Sequence, residues 1–339
     1  MRPSMSMLNH CKGTVRDGSD SRRAIPHGQR MRLQEVDRIE VTVLVDNYTD
    51  LLRTDNTSVV RRPSLPYGEI LLAEHGLSLY ISLWSGRNSS HILMDAGGSD
   101  ISLQYNAARL GVSIREISSM IISHGHDDHM GSVKGILGHC TGPVPVYIHP
   151  AAFSRRRKCI TAESLVDMVP PDRDALIKVG AEFHMTPGPT RLCQNQILVT
   201  GEIERSTSFE QINPIYFIEE SGAWIPDSFR DDQAVILSLK GKGLVVITGC
   251  AHAGIINTIQ YARYITGVDQ IHAVIGGFHL SGSFFRMVIG ETIFSMKEID
   301  PAWIIPLHCT GWEAMTRFME EMPDQVLLNT VGTTYMFGE

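Results

Sequence analysis

The ten residues Ser123–Ser132, SHGHDDHMGS, directly follow Ile117–Ile122, ISSMII, and this junction decides how the chain is read. The run Ile117–Ile122 is read as a core strand, so the polar groups after it emerge at a strand end. In extended backbone alternate side chains share a face, so His124 and His126 project together and can chelate one ion. Asp128 and His129 come where the chain must turn, and can face a second ion a few ångströms away. Gly131 leaves the backbone room to bend before a helix that starts near Ser132. A polar loop can collect such residues by chance, but histidines at 124, 126 and 129 behind a buried strand are a poor random draw.

Outward from this junction the pattern alternates. Upstream, Ile39–Val45, Leu77–Leu83 and His91–Met94 read as strands, the last running into Asp95, Ala96, Gly97 and Gly98. Residues 101–110 carry apolar positions at helical spacing (Leu103, Ala107, Leu110). Downstream, Ala234–Leu239 and Leu244–Thr248 read as strands and Ile255–Ile265 as a helix. Ala273–Ile275 is then a strand, Val288–Glu298 a helix and Trp303–Leu307 a final core strand. No repeat of 20 to 50 residues underlies the alternation. The expected architecture is α/β: two mixed sheets packed face to face with helices outside, whose edge loops pool their polar residues.

The 339 residues show no internal linker, so residues 38–339 are read as one domain. Residues 1–37, rich in Arg, Ser, Asp and Gly without the apolar segment of a secretory signal, are read as a disordered or weakly ordered tail, against a transit peptide. Met31 opens a more compact-looking stretch, which leaves open whether the upstream residues are native. A net charge of −7 lacks the basic field that phosphate-backbone binding requires, and argues against nucleic acid as a partner. No run approaches the ~20 apolar residues needed to span a bilayer. Cys11, Cys140, Cys159, Cys193, Cys250 and Cys309 are scattered without CxxC pairs, which reads as free thiols in a reducing compartment and a cytoplasmic protein.

The chain resembles the metallo-β-lactamase superfamily, whose HxHxDH motif is matched by His124, His126, Asp128 and His129. The resemblance covers roughly residues 38–339 and implies an αββα sandwich with a dinuclear metal site. It also implies that Asp95, at the end of an upstream strand, buttresses the metal loop. Further ligands of the superfamily are a histidine, an aspartate after a strand and a final histidine, and here the chain departs. Cys250, in TGCAHAGI at 248–255, stands where the aspartate belongs; it is read as a thiolate ligand against an inert buried cysteine. His252 is taken to replace the missing ligand, against a role in supporting another ligand or touching substrate. His308, in PLHCTG at 306–311, fits the final histidine, against a capped core histidine. His279, in IGGFHL at 275–280, is read as a substrate-facing donor or acid, with ligation as its alternative. Asp231 and Asp232, in DDQAV, fall near the expected histidine and could bind metal, orient a ligand or cap a turn.

His184 in HMTPGPT is read as a decoy, because Pro189 occupies the place where a ligand would stand. SRRRK at 154–158 and Arg205 could meet a phosphate, though a solvated face is the preferred reading. His75 and His149 receive no role. The phrases EHGLSLYI at 74–81 and TGEI at 200–203, with those above, resemble the subgroup named after dihydropterin-ribofuranosyl-aminobenzene-phosphate synthase, otherwise described as metal-dependent hydrolases.

These residues lead to an expected function. Two divalent cations, zinc before manganese, iron or cobalt, would acidify a bridging water that attacks a phosphodiester, phosphotriester or lactone. Asp128 would ligate and orient the nucleophile, and His279 would stabilise charge on the attacked or departing oxygen. The expected partner is a small, anionic or phosphorylated substrate; the sequence does not reveal the oligomeric state. The alternatives are a pterin–arylamine synthase, with Phe153, Trp224, Phe278 and Trp312 as an aromatic pocket, and a metal-dependent ligand sensor without turnover.

Overall fold

The computed structural model describes residues 30–161 and 164–339. Two mixed sheets form the centre. In the larger, eight strands run in the order Val60–Arg61, Thr334–Gly338, Arg38–Val45, Ser78–Ser85, Asn88–Met94, Ser119–Ile121, Val144–Ile148 and Ala181–Met185. Its first half is antiparallel, and the pairs from Asn88–Met94 to Ala181–Met185 are parallel. The smaller runs Thr190–Leu192, Ile197–Val199, Ala234–Leu239, Gly243–Thr248, Ile271–Gly277 and Trp303–Leu307, with its last two pairings parallel.

The facing surfaces interlock through Ile39, Val41, Leu79, Ile81 and Ile92 of one sheet and Val235, Leu237, Val245, Ile247 and Ile275 of the other, all fully buried. Outside the smaller sheet lie the helices Ile255–Thr266, Ile289–Ile299 and Trp312–Glu321, with Ile259, Ile293 and Phe318 in the contact. Outside the larger lie Asp100–Arg109, Val133–His139 and Arg173–Lys178. The expected αββα sandwich is what the chain forms. Its strands are buried on both faces, which is why they read as apolar runs rather than as alternating ones.

Three features differ from expectation or went unread. The run at 117–122 is ordered as a strand only over Ser119–Ile121, after a 3₁₀ turn at Ile114–Glu116. The tail boundary moves toward the N-terminus: Met31 N donates to Ile265 O at 2.7 Å, Val36 N donates to Ser238 O at 2.9 Å, and Val36 is fully buried. The rest of the expected tail, residues 1–29, lies outside the described residues. A third, four-stranded antiparallel sheet, ordered Ala223–Pro226, Tyr216–Glu220, Arg156–Thr161 and Ser164–Met168, stands beside the sandwich.

The parallel order positions the site. Asn88–Met94 and Ser119–Ile121 end together at one edge, as do Gly243–Thr248, Ile271–Gly277 and Trp303–Leu307 in the other sheet. Chemistry-bearing loops therefore come from both layers. Because Ile247 lies between them with no exposed surface, Ile247→Ala is expected to destabilise by about 2–5 kcal/mol in urea unfolding. A loss below about 1 kcal/mol would contradict the inter-sheet packing described here.

Candidate metal centre

Where Asn88–Met94 ends, Asp95 adopts φ 59°, a left-handed conformation that non-glycine residues rarely hold. That turn aims its carboxylate under the next strand end. Oδ1 accepts from Ser123 N at 2.7 Å, and Oδ2 accepts from both Ser123 Oγ and His129 Nδ1 at 2.7 Å. Gly125 passes so close to Ala152 that a Cβ would lie 2.1 Å from its carbonyl oxygen, so only glycine fits between the two histidines. After His126 the chain enters a single helical turn, Asp127–Met130, that presents Asp128 and His129.

The other sheet closes on this loop from the opposite side. Its strand ends deliver Cys250 and His252 after Thr248, His279 after Gly277, and His308 after Leu307. Ala251, His279 and His308 sit at φ 54°, 48° and 47°. Together with Asp95 they put four left-handed non-glycine residues around one cavity, the distribution expected where backbone strain serves a site. At Gly249 a Cβ would lie 2.0 Å from Ser123 Oγ, so the layers touch at backbone distance.

Ring nitrogens, carboxylate and thiol converge. His124, His126 and His252 form one trio with ligand atoms within 4.8 Å of each other, and His124 Nε2 is 3.3 Å from His252 Nε2. On the other side Asp128 Oδ2 lies 3.2 Å from His308 Nε2, 3.7 Å from His129 Nε2 and 3.5 Å from His75 Nε2. Cys250 Sγ lies between the groups, 3.2 Å from His129 Nε2 and in further trios with His252 and His279 and with His308 and Cys309.

The tautomers follow from the partners. Ser123 Oγ gives its hydrogen to Asp95, so it accepts from His124 Nδ1, 2.9 Å away. His129 Nδ1 donates to Asp95, and His308 Nδ1 donates to Asn47 Oδ1 at 2.9 Å. All three rings turn the remaining Nε2 to the centre, the orientation that a metal-binding imidazole requires. Among the described residues His126 Nε2 and His308 Nε2 are buried without a hydrogen-bond partner. Imidazoles, one carboxylate and one thiol make a donor set that suits borderline divalent cations, so the residues fit the ions that the motif implies.

The electrostatics favour neutral rings at three of these positions. Burial holds His124 and His252 well below the usual histidine range and His126 at about 3, so all three are unprotonated. His129 differs: burial opposes its charge, but Asp128 and Asp95 outweigh burial and hold that ring at about 9, so it is protonated at neutral pH and must release its Nε2 proton to take a metal. Burial alone would raise Asp128, yet His129 and His308 hold it well below the usual carboxylate range. Burial pushes the Cys250 thiol far up, so a neighbouring cation is what would make it a thiolate.

The structure thus brings His124, His126, Asp128, His129, Cys250, His252, His279 and His308 into one connected cluster. His184 is exposed on an edge strand, stacked on Tyr147, outside these groups. Asp231 and Asp232 belong to no ligand trio among the described residues. Asp231 accepts from Gly125 N at 2.9 Å and pairs with Arg156 at 2.6 Å. Asp232 accepts from Ala253 N at 2.8 Å and is pushed by burial to about 7. The solvated-face reading is wrong for two cations. Arg156 is buried between Asp227 and Asp231, and Arg205 holds the carbonyl oxygens of His252 and Ala253 at 2.8 and 3.0 Å. His149, also buried, caps a short 3₁₀ turn.

The cavity, about 670 Å³, is lined by Tyr48, His75, Lys158, Tyr216, Phe285 and Trp312 as well as His126, Asp128, Cys250, His252, His279 and His308 of the cluster. Of the four aromatics expected there, Trp312 is present. Phe278 packs on Phe318 in the core, Phe153 packs on Phe183, and Trp224 lies beneath Arg157. His75 received no role and Asn47 went unread because their approach depends on tertiary placement. Since Asp95 holds both the loop and the His129 tautomer, Asp95→Asn is expected to lower metal affinity about 10–100-fold in a competitive chelator titration. Unchanged affinity would remove Asp95 from that role.

Comparisons with known proteins agree with this geometry. Residues 79–193 match the family model of the Metallo-beta-lactamase superfamily. A Methanocaldococcus jannaschii protein named 7,8-dihydropterin-6-methyl-4-(beta-D-ribofuranosyl)-aminobenzene-5'-phosphate synthase is 28% identical over 301 residues, 87% of this chain and 95% of that protein. A crystal structure described as a metal-dependent hydrolase of the beta-lactamase superfamily aligns with a TM-score of 0.67 at 23% identity, covering 89% of this chain and 100% of that one. The fold protein YhfI of Bacillus subtilis aligns at 0.50 with 14% identity, covering 89% and 100%. Motif, sandwich and strand-end cluster thus agree with a chain that is similar to the metallo-β-lactamase superfamily over residues 79–193 and shares its fold.

Proposed function

We propose that the chain is a metal-dependent hydrolase that turns over small phosphoesters, phosphodiesters and triesters before lactones, at two adjacent cations. The observation that carries the reading is the set of inward-facing Nε2 atoms described above, two of them buried and unpartnered. His124, His126 and His252 would hold one ion; Asp128, His129 and His308 would hold the other, with Cys250 within reach of both. Zinc suits this imidazole, carboxylate and thiolate set best, and manganese, iron or cobalt are accommodated less well. Once bound, such ions supply Lewis acidity and lower the pKa of water towards about 7.

The chain's own residues do the remaining work. Asp128, on the cavity wall, accepts the hydrogen bond that points the attacking water at the substrate. His279 borders the same cavity with its buried Nδ1 unpartnered, and donates to the attacked or departing oxygen. Its nearness to Cys250 and His252 makes it the alternative ligand should Cys250 remain a thiol. Asp95, Ser123 and Asn47 hold three rings in one tautomer, so little reorganisation accompanies the reaction. The free thiols Cys140, Cys193, Cys250 and Cys309 suit a reducing, cytoplasmic setting. No helix of the described residues is long and apolar enough to cross a membrane.

A second reading, a synthase joining an activated pterin to an arylamine, is favoured by the Methanocaldococcus relative, which is matched over 95% of its length. An edge-to-face pair on the cavity wall, Tyr48 and Trp312 with centroids 5.5 Å apart, offers flat rings a surface. Release of p-nitrophenol from bis(p-nitrophenyl) phosphate supports hydrolysis, and a pterin–arylamine product with pyrophosphate release supports the synthase. Tight product binding without turnover would leave a sensor.

The test uses His126→Ala and Asp128→Asn in purified protein, with metal content and ester turnover measured together. Both variants are expected to lose turnover by about 10²-fold or more, and His126→Ala also to lose metal. Survival of metal content and turnover in both would end the hydrolase reading.

A further inference from the structure

The basic run Arg155–Lys158 is not uniform once folded. Arg155 pairs with Glu219 at 2.8 Å, Arg156 with Asp227 and Asp231, and Arg157 with Asp167. Lys158, among the described residues, has no carboxylate partner, yet it lines the cavity. Arg53, the other long cation on that wall, is held by Asp55 at 3.0 Å.

Register explains where Lys158 stands. It is two residues beyond Arg156 on one strand, so both side chains leave the same face, about 6.6 Å apart. Arg156 reaches Asp231 and, through it, Gly125 of the histidine loop. Lys158 faces Tyr216 across the strand pair, its ammonium 5.3 Å from the ring centroid, and that ring is 5.7 Å from His126. The aromatic face holds the cation in place without neutralising it. An uncompensated ammonium beside a cluster built for cations is repulsive until an anion arrives. Asn213 lines the same wall; its side-chain oxygen accepts from Ile215 N at 3.3 Å, which leaves its amide hydrogens free to donate.

From this arrangement we infer that Lys158 is the docking point for a phosphate group of an organic phosphate, held beside the His124, His126 and His252 end of the cavity. A compact, multiply charged oxyanion suits a lysine point charge, whereas a carboxylate is better met by an arginine fork. The phosphate held here is a handle on the substrate, separate from the reacting bond. The inference rests on the cavity being the reaction site as proposed above, and assigns that site a phosphorylated substrate class.

Phenyl phosphate, titrated calorimetrically into the metal-loaded protein, is the probe. Lys158→Met is expected to weaken its binding about tenfold or more, and Lys158→Arg to recover most of the loss. The affinity of the unaltered protein should also fall more steeply with salt than that of Lys158→Met. Equal affinity in the unaltered protein and Lys158→Met, with metal and ester turnover intact, would overturn this inference and leave the hydrolase reading standing. If the unaltered protein bound no metal and turned over no ester, while phenyl phosphate binding still depended on Lys158, the hydrolase reading would fall and the docking point would stand.

Discussion

Asp95 is a carboxylate with no exposed surface that accepts three hydrogen bonds from one loop. A buried carboxylate is tolerated only when its oxygens are satisfied, and here the satisfaction comes from Ser123 and His129. The loop cannot shift without stranding that charge, so the aspartate fixes where the histidines of the motif stand. Through Ser123 Oγ it also fixes the protonated nitrogen of His124. One interaction therefore sets backbone position, ring orientation and tautomer together.

The second layer is tied in by the same physics. Asp46 accepts from the backbone N–H of His308 at 2.8 Å and from Asn329 at 2.6 Å, while Asn47 holds the ring. Asp232 and Arg205 clamp the loop that carries His252. Asp231 joins Arg156 to Gly125, so a buried ion pair braces the motif loop against the third sheet. Removing one partner of such a pair leaves a buried charge uncompensated, which makes the brace stiff. Strained φ values at Ala251, His279 and His308 are sustained by this surrounding frame.

Legibility followed distance along the chain. The motif His124–His129 could be read because its donors lie within one turn of each other after one strand, and strand periodicity alone pairs His124 with His126. Cys250, His252, His279 and His308 could be located because each follows an apolar run that ends abruptly in polar residues. Asp231 and Asp232 were placed near the site, but their hydrogen bonds to Gly125 and Ala253 depend on which loops the fold brings opposite them. The cations of 154–158 look solvated as a charged string, whereas on a strand with alternating faces Arg157 turns to one side and pairs with Asp167, while the buried Arg156 and the cavity-lining Lys158 share the other. Recognising Arg156–Thr161 as a strand was the missing step. His75 and Asn47, on loops from the opposite edge of the chain, carried no local signal.

Two clusters of ligand atoms, close enough to hold two ions side by side, underlie the proposed chemistry. Native mass spectrometry of the purified protein, counting metal ions per folded chain, tests this directly. Two divalent ions per chain, both lost when His124 and His308 are replaced together, is the predicted result. A chain that stays folded and binds no ion in excess zinc would contradict it.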